Sequence, residues 1–191
     1  MSATRLPSLP HSQRLLVVVG PSGAGKDTVM AAWQQHAAAA GQVLRVARRT
    51  ITRPARAGGE AHEALDEAQW QAACDAGAFA VHWHAHGLAY GVRTREFDPL
   101  AHGTVLLNGS RAALPALRAR APHCRVVEIT ASADVLAQRL HARGREDVQA
   151  IAARLRRAAP AQADVSVCND AAVADTVAAL MRWWDTAAHV A

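Results

Sequence analysis

The stretch "LLVVVGPSGAGKDTVMAAWQQHAAAA", residues 15–40, decides the fold. Its first five residues form an uninterrupted apolar run rich in β-branched side chains, the pattern of a parallel strand buried on both faces. Its last fourteen are rich in good helix formers. Between them lie Gly20, Gly23 and Gly25, which let the backbone fold so that successive N–H groups converge on an anion at a helix N-terminus. Strand, glycine turn and helix are the context a phosphate-binding loop requires. Residues Gly20, Pro21, Ser22, Gly23, Ala24, Gly25, Lys26, Asp27 and Thr28 are therefore the candidate nucleotide site, with Lys26 directed at the β and γ phosphates. The departure is Asp27, a carboxylate where such loops normally carry a magnesium-binding hydroxyl.

The 191 residues, 51% of them hydrophobic, suffice for one domain with a sizeable core. No apolar run has the length of a membrane span, and "MSATRLPSLPHSQR" lacks the apolar centre of a signal peptide, so a cytoplasmic protein is expected, with residues 1–13 flexible. Cys74, Cys124 and Cys168 are scattered and match neither a disulfide framework nor a metal-ligand spacing. The net charge of +5, from 21 Lys plus Arg against 16 acids, is carried almost wholly by arginine. That keeps a basic nucleic-acid binder in view, because cationic surfaces attract polyanions without a pocket.

Placement of the arginines argues otherwise. Arg45, Arg48, Arg49, Arg53 and Arg56 fall in "RVARRTITRPARAGGE", where Pro and Gly exclude a continuous helix. Arg139, Arg143, Arg145, Arg154, Arg156 and Arg157 fall in a helical pattern broken at Gly144. Guanidinium forks hold phosphate oxygens bidentately, so clusters near a phosphate-binding loop suit phosphoryl transfer. Further on, "GAFAVHWHAHGLAYGV" reads as an alternating strand-like stretch. "GTVLLNGS", "CRVVEIT" and "DVSVCND" read as strands, and "VAALMRWW" as part of a terminal helix. Strands alternating with helices imply an α/β domain, a parallel sheet flanked by helices.

The order "GPSGAGK", "TRPARAGGE", "GAFAVHWHAHGLAYG", "RLHARGRED…IAARL", "CND" resembles the guanylate kinase superfamily over most of the chain. The resemblance implies a single P-loop kinase domain over residues 1–191, with a substrate-binding region at about 45–95 and a lid at about 139–157. It assigns Arg53 and Arg56 to substrate phosphate, and Lys26, Arg139, Arg143 and Arg154 to the transferred phosphoryl group. Asn169 would lie near adenine. Guanylate kinases carry acidic and hydroxyl base readers where this chain has Val81, Val92, Asn108 and Ser110, and only Tyr90 remains of that set. Guanine's N1–H and exocyclic amine need acceptors, and each one left unsatisfied costs about 1–3 kcal/mol. A nucleoside monophosphate kinase therefore becomes the alternative reading.

A smaller subfamily is matched by "GPSGAGKDT", "TRPARAGGEAHE", "HWHAHGLAYG" and "LLNGSRA", which together resemble the ribose 1,5-bisphosphate phosphokinases. The resemblance implies ATP-dependent conversion of ribose 1,5-bisphosphate to 5-phospho-α-D-ribose 1-diphosphate in phosphonate breakdown, with ATP and Mg²⁺ as cofactors. The partners it implies are a sugar phosphate and ATP, not nucleic acid or membrane. The substrate set it suggests is Arg53, Arg56, His62, Glu63, His82, His86, Tyr90, Asn108, Ser110 and Arg111. An oxygen of the 1-phosphate, already ionised, would be the nucleophile, so no general base is needed. Asp27, with Thr28, is read as the magnesium-holding pair, the acid absent at Asn108 having moved into the loop. His82, His84 and His86 alternate, so a strand would present all three on one side; zinc ligation, substrate hydrogen bonding and packing are open readings for them. A noncatalytic kinase-like module is the remaining alternative, disfavoured by the intact Lys26.

Overall fold

The computed structural model describes residues 8–54, 61–141 and 162–188. Arg56, Arg143 and Arg154, and almost all of the expected lid, lie outside the described residues. A five-stranded parallel sheet has the order β2-β7-β1-β8-β9, built from β1 (Leu15–Val19), β2 (Leu44–Val46), β7 (Thr104–Asn108), β8 (Arg125–Thr130) and β9 (Val165–Cys168). β1 is central, and its two faces explain its composition. Leu15, Val17 and Val19 enter one core cluster, while Leu16 and Val18 enter the other. All five are fully buried, so no polar residue interrupts the run.

On one face pack α1 (Lys26–Ala39), through Val29, Met30, Trp33 and Ala37, and α5 (Val173–Ala188), through Val177 and Leu180. Leu136 of α4 (Ala133–His141) joins the same cluster. α3 (Leu114–Arg120) lies against the other face through Leu114 and Leu117. A second, four-stranded sheet of order β4-β3-β6-β5 covers the rest of that face. Its strands are β3 (Arg49–Ile51), β4 (Glu63–Ala64), β5 (Phe79–Ala85) and β6 (Leu88–Arg93). Ile51, Val81, Trp83, Tyr90 and Val92 of this sheet share a core cluster with Leu15, Val17 and Val19. Its opposite face is closed by α2 (Glu67–Asp75), whose start is fixed by a capping box in which Asp66 and Gln69 each hold the other's backbone N–H. Trp70 of α2 stacks on Phe79 with ring centroids 5.6 Å apart.

The alternating stretch of residues 77–92 is two strands, not one. His86 and Gly87 have φ of 53° and 70° and join Ala85 to Leu88 in a two-residue hairpin turn. Histidine tolerates the left-handed region better than most residues. His86 thus leaves the alternation that His82 and His84 keep. Among the described residues no helix is long and apolar enough to cross a membrane.

Candidate active site

The loop between β1 and α1 sits where the sheet's strands end, against the last residues of β8. Gly20, at φ 143°, passes so close to β8 that a Cβ there would lie 1.9 Å from the Ile129 carbonyl oxygen. Gly25 caps α1 at φ 85°, and a Cβ there would lie 2.5 Å from Asn169 Nδ2. Both positions exclude a side chain, by contact as well as by conformation. Lys26 Nζ donates to the carbonyls of Gly20 and Pro21 at 2.9 and 3.0 Å, so its ammonium reaches back across the loop that precedes it.

Asn169 is 1% exposed. Its Nδ2 donates to the Ala24 carbonyl at 2.8 Å, its Oδ1 accepts from the Thr176 hydroxyl at 3.0 Å, and its backbone N–H donates to Thr130. The side chain expected near adenine thus braces the loop to α5, and the backbone of the same residue ties it to β8. Arg139, from α4, donates to the Asn169 carbonyl at 2.9 Å and reaches the Gly23 carbonyl at 3.5 Å. Its guanidinium lies over the loop on which the γ phosphate would rest.

Asp27 and Asn108, 81 residues apart, meet at 2.5 Å. A carboxylate only accepts, so the Asn108 amide must turn its Nδ2 toward Asp27 Oδ1. Asn108 is buried at the end of β7, which fixes its amide and hence the carboxylate. Ser110 Oγ is turned to the Ala112 N–H at 3.3 Å, and Arg111 Nε lies 3.9 Å from Glu128.

In the second sheet, Tyr90 stacks on Trp83 at 5.4 Å with an interplanar angle of 3°, and the Arg49 guanidinium lies 5.2 Å from the Tyr90 ring centre. Val81 and Val92 pair across β5 and β6 and are both buried. His82 and His84 alternate with Trp83 and point the other way. Both rings meet Trp70 edge-on, and His82 Nε2 lies 3.6 Å from Cys74 Sγ. His82 therefore faces α2, away from Tyr90. Burial, helped by Asp75, pushes the Cys74 thiol above its ordinary pKa. Among the described residues no group of three or more His, Cys, Asp or Glu forms a metal cluster.

Glu63 accepts from Arg93 Nε and Nη2 at 2.6 and 2.8 Å and from the Thr50 hydroxyl at 2.7 Å. The Arg93 hydrogen bonds outweigh partial burial and hold the Glu63 carboxyl at about 2, well below the usual carboxylate range. Both its oxygens are thereby committed to tying β4 to β3 and β6. His62 is 5% exposed, with both ring nitrogens turned to Arg53. Arg93 and Thr176 had no distinguishing mark in the sequence, and Arg49 stood out only as one of the first arginine cluster. Arg93 takes its role from Glu63, 30 residues away, and Arg49 from Tyr90, about 41 residues away, whereas Thr176 is seven residues from Asn169. Several other arginines are likewise spent internally: Arg14 on the Leu100 and Ala101 carbonyls, Arg118 on Gln162 and Arg120 on the Ala80 carbonyl. Net charge therefore overstates the free cationic surface.

An AAA domain family model matches residues 15–165. A ribose 1,5-bisphosphate phosphokinase PhnN of Agrobacterium fabrum is 44% identical over 176 residues, 88% of this chain and 94% of that one. The chain belongs to the ribose 1,5-bisphosphate phosphokinase family. A bifunctional ribose 1,5-bisphosphokinase-thymidine phosphorylase of Azorhizobium caulinodans is 51% identical over 80% of this chain, which spans only 22% of that relative's length. Among solved structures, guanylate kinase from Anaplasma phagocytophilum superposes with a TM-score of 0.69 at 17% identity, covering 90% of this chain and 84% of that one. This likeness is one of fold: the guanylate kinase-like α/β architecture with a parallel sheet flanked by helices.

Proposed function

We propose that the chain transfers the γ-phosphoryl group of ATP to the 1-phosphate of ribose 1,5-bisphosphate, giving 5-phospho-α-D-ribose 1-diphosphate and ADP. Besides family membership, the observation that carries this reading is the state of the positions where guanylate kinases hold acidic and hydroxyl base readers. Val81 and Val92 are packed into the core, and the Asn108 amide is directed at Asp27. A purine would leave its N–H donors without acceptors there, whereas a sugar bisphosphate asks mainly for cations.

The nucleophile is an ionised oxygen of the 1-phosphate, which forms a bond to the γ phosphorus. The bond from that phosphorus to the β–γ bridging oxygen breaks, and the electron pair leaves with ADP. No proton has to be removed, so the protein's part is alignment and charge stabilisation. The loop N–H groups and the α1 N-terminus cradle the nucleotide phosphates. Lys26 exchanges the Gly20 and Pro21 carbonyls for phosphate oxygens. Arg139 closes over the γ phosphate, joined by Arg143 and Arg154, while Arg53 and Arg56 hold the acceptor's phosphates and Tyr90 lies beside them.

Asp27 and Thr28 suit Mg²⁺, a hard cation that favours oxygen donors and keeps several waters. Asp27 Oδ1 is held by Asn108, and among the described residues no hydrogen bond to Oδ2 is seen, which leaves an oxygen to offer a cation. When bound, the ion neutralises charge on the β and γ phosphates.

The deciding measurement is ADP release from Mg-ATP with ribose 1,5-bisphosphate or with GMP as acceptor, the product being identified by phosphorus NMR. Turnover with the bisphosphate and a new diphosphate signal are expected. Turnover with GMP alone would overturn the proposal, and inactivity with both would mark a noncatalytic module.

A further inference from the structure

Two arginines of the second sheet are held by partners of opposite chemistry. Arg93 meets a carboxylate: Glu63 takes two of its N–H groups, and the pair is electrically closed. Arg53, in the turn after β3, meets a neutral ring. Its Nη2 lies 3.3 Å from His62 Nδ1, and its own carbonyl oxygen lies 3.0 Å from His62 Nε2. A guanidinium in a protein is always protonated and only donates. Nδ1 must therefore offer its lone pair, and the ring proton sits on Nε2, where it donates to the Arg53 carbonyl. One imidazole thus grips both the head and the backbone of the same arginine. The ring is fixed in turn, because His62 is buried and its carbonyl accepts from Arg48 Nη2 at 3.0 Å.

The difference in partner has a consequence for binding. An arginine paired with a carboxylate has little net field left for an anion, whereas one oriented by imidazole keeps its full charge. Arg53 makes no ion pair with a described residue, and its Nε is buried without a hydrogen-bond partner. One N–H is spent on His62 Nδ1, and no carboxylate among the described residues neutralises the group.

We propose that His62 is a positioning residue for substrate: it sets the Arg53 guanidinium in a phosphate-receiving orientation without neutralising it, and does not itself contact the ribose. The inference rests on the reading of Arg53 as a contact to an acceptor phosphate.

The test is steady-state kinetics on Arg53→Ala, His62→Leu, His62→Asn, His62→Gln and the double variant Arg53→Ala/His62→Leu, with thermal melts as the folding control. Arg53→Ala should raise the KM for ribose 1,5-bisphosphate roughly 10- to 100-fold, as loss of a charge-assisted hydrogen bond does, with the KM for ATP unchanged. His62→Leu should raise the same KM roughly 5- to 20-fold, leave kcat near the parent value, and add nothing in the Arg53→Ala background. His62→Asn keeps an acceptor near the Nδ1 position and should restore most of the loss. His62→Gln keeps only a group near Nε2 and should not. Should His62→Leu fail to fold, the Asn and Gln variants decide alone. Additive effects of the two substitutions, equal changes in the KM for ATP and for the sugar, or equal behaviour of Asn and Gln would each overturn the positioning role. An unchanged sugar KM in Arg53→Ala would instead overturn the phosphate reading on which it rests.

Discussion

Replacing Asn169 with Ala tests whether the phosphate-binding loop is held from behind. The side chain is almost fully buried and makes two hydrogen bonds, to the Ala24 carbonyl at 2.8 Å and from the Thr176 hydroxyl at 3.0 Å. Truncation strands both partners away from water, at about 1–3 kcal/mol each, so a loss of about 2–6 kcal/mol is expected. For a chain of this size each kcal/mol moves Tm by about 2–4 °C, which places the variant about 4–24 °C below the parent. The damage is local to nucleotide binding, because Ala24 lies between the two glycines that shape the loop and the backbone of Asn169 carries Arg139. Stabilisation by ligand follows RT ln(1 + [L]/Kd), so a tenfold weaker ATP complex removes about 1.4 kcal/mol of the ATP-induced stabilisation and shrinks the rise in Tm accordingly. Asn169→Asp separates the two bonds: it keeps the acceptor for Thr176 and sets a carboxylate against the Ala24 carbonyl. The assay is thermal unfolding with and without Mg-ATP and Mg-GTP. A variant melting within 1 °C of the parent and retaining the full ATP shift refutes the brace. Lost discrimination between ATP and GTP at unchanged Tm would return Asn169 to the adenine-contacting role expected from the sequence.

Two further predictions concern carboxylates with different employment. Glu63→Gln removes the charge that Arg93 pairs with. Because the folded carboxyl titrates at about 2, below its usual 4.5, its contribution is complete above about pH 4.5 and lost as pH falls toward 2. With the two side chains 22% and 27% exposed, solvent screening limits that contribution to about 1–2 kcal/mol. The stability gap between parent and variant, measured by urea unfolding, should narrow from pH 5 to pH 3; a constant gap refutes the assignment. Asp27→Asn keeps the shape of the side chain that Asn108 holds but removes its charge. The magnesium concentration for half-maximal ADP release should rise roughly tenfold with Tm nearly unchanged, since loss of one metal-facing oxygen anion is worth about 1.4 kcal/mol or more. An unchanged magnesium requirement, in kinetics and in Mg²⁺-dependent melting of the ATP complex, defeats the metal-holding role.

What was legible in the sequence is what local rules impose. A strand buried on both faces cannot alternate, so Leu15–Val19 announces a central parallel strand, and a backbone that must bend at positive φ against Ile129 announces itself as glycine. The hairpin at His86–Gly87 was not legible, because its turn lacks the usual Asn-Gly or Asp-Gly signal and the alternation of apolar and polar residues runs through it. Parity correctly puts His82 and His84 on one face, but parity is blind to which face meets the cleft. That choice belongs to Trp70, which closes the other side.

The same blindness governs the charged residues, where function is decided by the partner rather than by the residue. Glu63 and Asp27 are both carboxylates beside candidate ligand sites. One is consumed by a guanidinium thirty residues along the chain; the other is held by an amide that leaves its charge intact. Arg93 and Arg53 repeat the contrast with the signs reversed, the first closed by a carboxylate and the second aimed by an imidazole. A charge paired with its opposite holds the fold together, and a charge oriented by a neutral group remains available to a ligand. The proposed phosphoryl transfer between two highly charged anions needs the second kind, and Asp27 and Arg53 are the candidates for it.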